Sequence, residues 1–277
     1  MRKLIYIPAF LALILFATGN LLAQVEIKVD TIKITKTRTL KIVTTRTAPK
    51  FILELSGGWN FGAMELSGHN GGFSLYDFTA GKSFCARNGF GVNLSGKYPL
   101  GKEAKFWLVA LAGFNRFQSN LIAKNEEEGK VSYNAFSGGL GLDYNFTPTH
   151  RVKYFFGANV LFSLIGGNAS IVTDIITQAK TELKIKQSLR IGYSAYVGLD
   201  YAIENNFGLN CGVKFTHANL LMKESKEAVN NEIYLNDKNS GTIPSYAYSG
   251  WKQFAYVNVF AGVSYYFGVK ERKYKLP

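Results

Sequence analysis

The chain has 277 residues, of which 47% are hydrophobic, 14% aromatic and 18% charged, and its 32 basic against 19 acidic side chains leave a formal net charge of +13. Beyond the first segment no apolar run approaches the roughly 20 residues that a membrane-crossing helix needs, which excludes a helical membrane bundle. Two cysteines, Cys85 and Cys211, form neither a disulfide framework nor a metal-ligand pattern and read as unpaired thiols.

Arg2 and Lys3 precede the apolar run Leu4 to Ala17, and small residues lie before Gln24. This is the pattern of a secretory signal peptide over residues 1–23, and its removal leaves 277 − 23 = 254 residues. Residues 24–50 differ in kind: Val25, Ile27, Val29, Ile32 and Ile34 alternate with charged residues and threonines, and seven Lys/Arg face only Glu26 and Asp30. They are expected to form a basic periplasmic N-terminal extension, part extended and part disordered, with a partner-binding strand that docks on another sheet as the alternative.

From residue 51 onward the dominant signal is alternation with a period of two, which puts successive side chains on opposite faces of a strand. It is clearest where Leu189, Ile191, Tyr193, Ala195, Val197, Leu199 and Tyr201 oppose Arg190, Gly192, Ser194, Tyr196, Gly198 and Asp200. The same pattern predicts strands near 51–61, 89–98, 136–146, 152–164, 207–216 and 257–267. The segment 106–118 is ambiguous, because both of its parities are apolar as far as Asn115. Short links at Pro99 to Lys105, Thr147 to Arg151 and Ala202 to Asn206 alternate with long polar links near 62–88, 121–131, 166–187 and 221–252. About eight strands joined in this way predict an all-β, antiparallel, up-and-down transmembrane barrel with short periplasmic turns, long outer loops and both termini in the periplasm.

The barrel segment, 51–267, resembles the small OmpA/OmpX-like outer-membrane β-barrel superfamily, which also includes PorT-like components of secretion systems. Gly262, Tyr265 and Phe267 match the glycine, hydrophobic and aromatic positions of the terminal signal by which such barrels are inserted. The position two residues before that glycine is Phe260 rather than a polar residue, and ten residues follow Phe267. The resemblance implies outer-membrane lipid and the barrel-insertion machinery as partners.

The polar parity carries Glu54, Asp143 and Asp200 among acids and Lys97, Lys153, Arg190 and Lys214 among bases. A barrel of about eight strands is just wide enough to be filled by side chains, so these charges are expected to pair inside it, with Phe155, Tyr196, Phe260 and Tyr266 adding bulk. The histidines His69, His150 and His217 fall at different heights, which argues against a shared metal site. His217 is expected on the lipid-facing parity near the outer rim, where lipid A deacylases of the PagL kind carry a His-x-Ser pattern. Here the run is His217-Ala218-Asn219, without the nucleophile. No cofactor is expected. Of the +11 left after loss of Arg2 and Lys3, residues 24–50 supply +5 and residues 268–277 supply +3. These basic tails suit a periplasmic protein or cell-wall partner, and the compartment makes nucleic acid implausible. The expected role is non-enzymatic: structural, adhesive or in envelope or secretion assembly. The alternatives are a narrow channel for small solutes and a lipid-modifying enzyme.

Overall fold

A computed structural model describes residues 41–68, 73–124, 126–174, 179–227, 231–238 and 251–276. The signal segment 1–23, residues 24–40 of the extension and His69 lie outside them. The chain forms two compact units, residues 46–270 and a unit of the terminal segments. In the terminal unit β1 (Lys41–Arg46) pairs with β11 (Glu271–Leu276), so both basic tails contribute a strand to one ribbon.

Residues 46–270 form the barrel. Its strands are β2 (Phe51–Ala63), β3 (Asn88–Leu100), β4 (Phe106–Ala123), β5 (Glu126–Asn145), β6 (Val152–Asp174), β7 (Ala179–Ala202), β8 (Phe207–Leu221) and β10 (Ala255–Phe267). The order β6-β5-β4-β3-β2-β10-β8-β7 closes through pairing of β6 with β7, and each neighbouring pair is antiparallel. The sheet has nine strands, and β9 (Glu232–Ile233) only adds to β7 in parallel at Lys184 and Ile185, so the ring has eight. First and last ring strands meet from Phe51↔Phe267 to Ala63↔Ala255, which removes the unpaired edges that an open sheet would present.

The alternation sorts each strand into an apolar outside and a polar inside across the middle of the barrel. On β2, Leu53, Leu55 and Trp59 are exposed outward, whereas Ile52 and Asn60 are buried inward. Aromatic rings gather at both margins of this outer belt: Phe106 and Tyr144 approach to 4.9 Å at the short-turn end, Phe114 and Phe136 to 4.7 Å at the other. That is the girdle arrangement of strands crossing a bilayer. Inward glycines make room for inward rings. A Cβ on Gly198 would lie 2.6 Å from Phe155 Cζ, and one on Gly208 would collide with the Tyr266 hydroxyl.

Two of the expected long loops are largely strand. The link near 121–131 is mostly the continuation of β4 and β5, and that near 166–187 belongs mostly to β6 and β7. The reason is an inversion of the pattern above the belt. There the inward residues turn apolar, with Leu121, Val131, Tyr133, Ile165 and Ile185 all buried, while outward residues such as Gln118, Ser132 and Asn168 are polar because they meet water instead of lipid. A polar stretch on the outward parity therefore marks the end of the lipid contact and not of the strand. The ambiguity of 106–118 resolves because the inward parity is itself apolar at the short-turn end, with Trp107 buried in an apolar floor and Val109 buried above it. The first link folds inward through a 3-10 turn at Met64–Leu66 and a short helix α1 (Ser74–Thr79), and the fourth contains β9.

Candidate functional site

The lumen is the place where chemistry or transport would occur, and it is filled in layers. At the short-turn end Ile52, Ala104, Trp107, Ala202 and Tyr266 form an apolar floor, with Trp107 Nε1 donating to the Ala104 carbonyl at 2.7 Å. Directly above, Lys153 Nζ meets Asp200 Oδ2 at 3.0 Å and lies 3.6 Å from the centre of the Tyr266 ring. The Tyr266 hydroxyl donates to the other Asp200 oxygen at 2.5 Å.

A second cluster centres on Lys97, whose ammonium is 2.9 Å from Glu54 Oε1 and 2.7 Å from Asp143 Oδ2 and 4.2 Å from the centre of the Phe155 ring. Ser95 Oγ donates to the other Glu54 oxygen at 3.1 Å. Lys214 stands apart from the carboxylates and donates to Asn93 Oδ1 at 2.6 Å. Between these groups lies a cavity of about 50 Å³, lined by Glu54, Lys97, Lys214 and Tyr196 among others. It has room for a few waters at most. Higher still, amides cross the barrel: Asn258 Nδ2 donates to Asn60 Oδ1 at 2.6 Å, and Asn60 Nδ2 to Asn115 Oδ1 at 3.0 Å.

The outer mouth is closed by an apolar plug from two loops. Leu66, Leu75, Phe84 and Phe254 pack against Phe117, Tyr133 and Ile165 of the wall. Phe254 makes edge-on contacts with Phe84 at 5.4 Å and with Phe117 at 5.5 Å. Cys85 is a free, buried thiol in this plug, and burial pushes its pKa up to about 11. Lys252, also buried, lies 4.8 Å from the centre of the Phe84 ring, and burial pulls its ammonium down to about 8 despite the opposing Asp237 carboxylate.

Of the charges expected to form one interior network, the structure joins Glu54, Lys97 and Asp143 in one cluster and Lys153 and Asp200 in another. Lys214 hydrogen-bonds to an amide. Arg190 belongs elsewhere: its guanidinium makes a bidentate pair with Asp237 at 2.8 and 2.9 Å near the outer rim, where Glu224 also lies 3.3 Å away. Asn219 Nδ2 donates both to Asp237 and to the Lys252 carbonyl at 2.9 Å, so this clamp fastens the fourth loop to β7 and β8. The sequence singles out neither Asp237 nor Phe254, and Asn219 only as the residue standing where a nucleophile would be. The available signal was an inward Arg190 with no acid at its height on either neighbouring strand.

His217 departs from its expected lipid-facing place. It is 7% exposed, covered by the fourth loop, and its Nε2 shares a 2.6 Å hydrogen bond with Gln253 Oε1. Among the described residues no group of three or more His, Cys, Asp or Glu has metal-holding geometry. Gly262 lies on the inward parity of β10, and Tyr265 and Phe267 are exposed on its outer face.

Residues 107–236 match the family model described as Opacity family porin protein. No curated protein matches the chain by sequence. Among solved structures, Neisserial surface protein A is 16% identical with a TM-score of 0.43, over 79% of this chain and 99% of that one. OprG from Pseudomonas aeruginosa is 13% identical with a TM-score of 0.45, over 80% and 97%. Ail from Yersinia pestis is 10% identical with a TM-score of 0.38, over 78% and 98%. The closed antiparallel ring of eight strands and its outward apolar belt are the architecture of a bacterial outer-membrane β-barrel, and over residues 107–236 the chain is similar to Opacity family porins.

Proposed function

We propose that the protein is a non-enzymatic, non-conducting barrel that makes contacts on both sides of the outer membrane. The observation that carries this reading is the layered lumen. An apolar floor, two buried ion clusters, an amide ladder and an apolar plug leave an internal cavity of about 50 Å³, too small for a solute path. A narrow channel would need these layers to part, and the paired charges hold them together. A lipid-modifying role would need a nucleophile beside His217, whose ring nitrogen is instead engaged by Gln253.

A filled barrel offers function through its ends. On the outside, β4 to β7 extend beyond the belt as two long hairpins, a rigid platform for adhesive contact. On the periplasmic side, the basic character of the terminal segments suits an acidic protein or cell-wall polymer. Gly262, Tyr265 and Phe267 serve insertion of the barrel. Single-channel recording of refolded protein in planar bilayers tests the central claim. No steady conductance is expected, and reproducible open events from the pure protein would refute the filled lumen.

A further inference from the structure

On the flank formed by β3 to β7, two hollows of opposite chemistry follow one another along the same strands. The lower, about 540 Å³, is walled by apolar side chains that include Val92, Phe114, Phe136, Phe162 and Leu164. Its floor is low because Ala112 and Gly138 face each other in register. A Cβ on Gly138 would meet nothing nearer than the Leu111 carbonyl at 3.9 Å, so the space above it is open.

The upper hollow, about 710 Å³, begins where the belt ends. On β4 the outward residues after Phe114 are Arg116 and Gln118; on β5, beyond Phe136 and Asn134, they are Ser132 and Lys130; on β6, beyond Leu164 and Gly166, they are Asn168 and Ser170. Rings and aliphatic groups thus give way to amides, hydroxyls and cations at a similar height on three adjacent strands. Of the carboxylates here, Glu232 is engaged by Lys184 at 3.3 Å and Lys186 at 3.7 Å, and Glu182 also lines the hollow. Lys130 is 3.6 Å from Glu127, and both it and Arg116 are exposed.

We propose that this flank holds one phosphorylated glycolipid of the outer leaflet, with an acyl chain in the notch over Ala112 and Gly138 and the headgroup in the polar hollow above. The chemistry selects that class. The lower hollow has no use for a soluble saccharide, and the row of amides and hydroxyls matches sugar hydroxyls that a simple phospholipid lacks. Arg116 presents a planar fork of donors suited to phosphate, and Lys130, in register with Asn120 four residues further along β4, adds a second charge to the same hollow. The inference is independent of whether the lumen conducts.

The test uses the full barrel in phosphatidylcholine nanodiscs doped either with lipid A or with phosphatidylglycerol, followed by release into detergent and native mass spectrometry. The wild type is expected to retain one lipid A and to lose phosphatidylglycerol. The double variant Arg116→Gln/Lys130→Gln should weaken lipid A retention by roughly tenfold, the size expected from losing two surface cations. Gly138→Leu, which fills the notch, should weaken it similarly. Equal retention of lipid A by wild type and the charge variant, or equal retention of the two lipids by wild type, would overturn the proposal. If Gly138→Leu loses heat-modifiable gel mobility, the charge variant decides alone, because both of its positions are exposed.

Discussion

Replacing Lys97 with methionine removes the cation that Glu54 and Asp143 share. The ammonium sits 2.9 and 2.7 Å from their oxygens, and the Lys97 and Asp143 side chains are only 5% and 2% exposed. With an effective dielectric constant of about 20, each contact at roughly 2.8 Å is worth about 6 kcal/mol of gross attraction. Desolvation offsets most of this, and the measured cost of breaking such a buried pair by removing one partner is about 3–5 kcal/mol. Here two carboxylates lose the same partner, with Ser95 left as one donor to Glu54. We therefore expect a loss of about 3–5 kcal/mol in urea unfolding from phospholipid vesicles, followed by tryptophan fluorescence and by heat-modifiable mobility. The triple variant that also carries Glu54→Gln and Asp143→Asn should recover most of that loss, because the orphaned charges are gone. A cost below about 1 kcal/mol, the value for a solvent-exposed pair, would refute the argument and point to a hydrated lumen.

Two further outcomes follow from the outer end. Asp237→Ala strips Arg190 of its bidentate partner, and the opening free energy of the fourth loop should fall by about 3 kcal/mol, read as faster proteolysis of residues 222–238 with the transmembrane core still protected. Lys252 has a pKa of about 8 when buried against a usual 10.5, so below 8 its ammonium is charged in both states and its burial penalty opposes closure. Between 8 and 10.5 the open loop binds more protons than the closed one, and closure becomes more favourable as pH rises. The Cys85 thiol, pushed by burial from 9.0 to about 11, adds the opposite slope above pH 9, where the opened plug loses that proton first, so Lys252 acts alone between 8 and 9. Proteolytic resistance of the plug, corrected for protease activity, should increase from pH 8 to 9 in the wild type and stay flat over that interval in Lys252→Met.

The period-two pattern was enough to determine that eight segments are strands, that they connect as hairpins, and which parity of each but 106–118 faces inward across the membrane. It succeeds because lipid imposes one rule on every outward position within the belt, and because a barrel of this size leaves no room for an empty lumen. The same local rule placed Glu54, Lys97, Asp143, Lys153 and Asp200 inside. Only the tertiary structure decided how they divide, since Lys97 on β3 reaches not only Glu54 on the adjacent β2 but also Asp143 on β5, two strands away across the lumen. It also decided the strand lengths above the membrane, where water replaces lipid outside and loop residues replace water inside, so that the polarity of the two faces exchanges. The partner of Arg190 and the cover over His217 come from Asp237 and Gln253, loop residues that no periodicity places. Periodicity reports what each face of a strand touches, and for loops folded into the mouth of a barrel that is known only once the ring has closed.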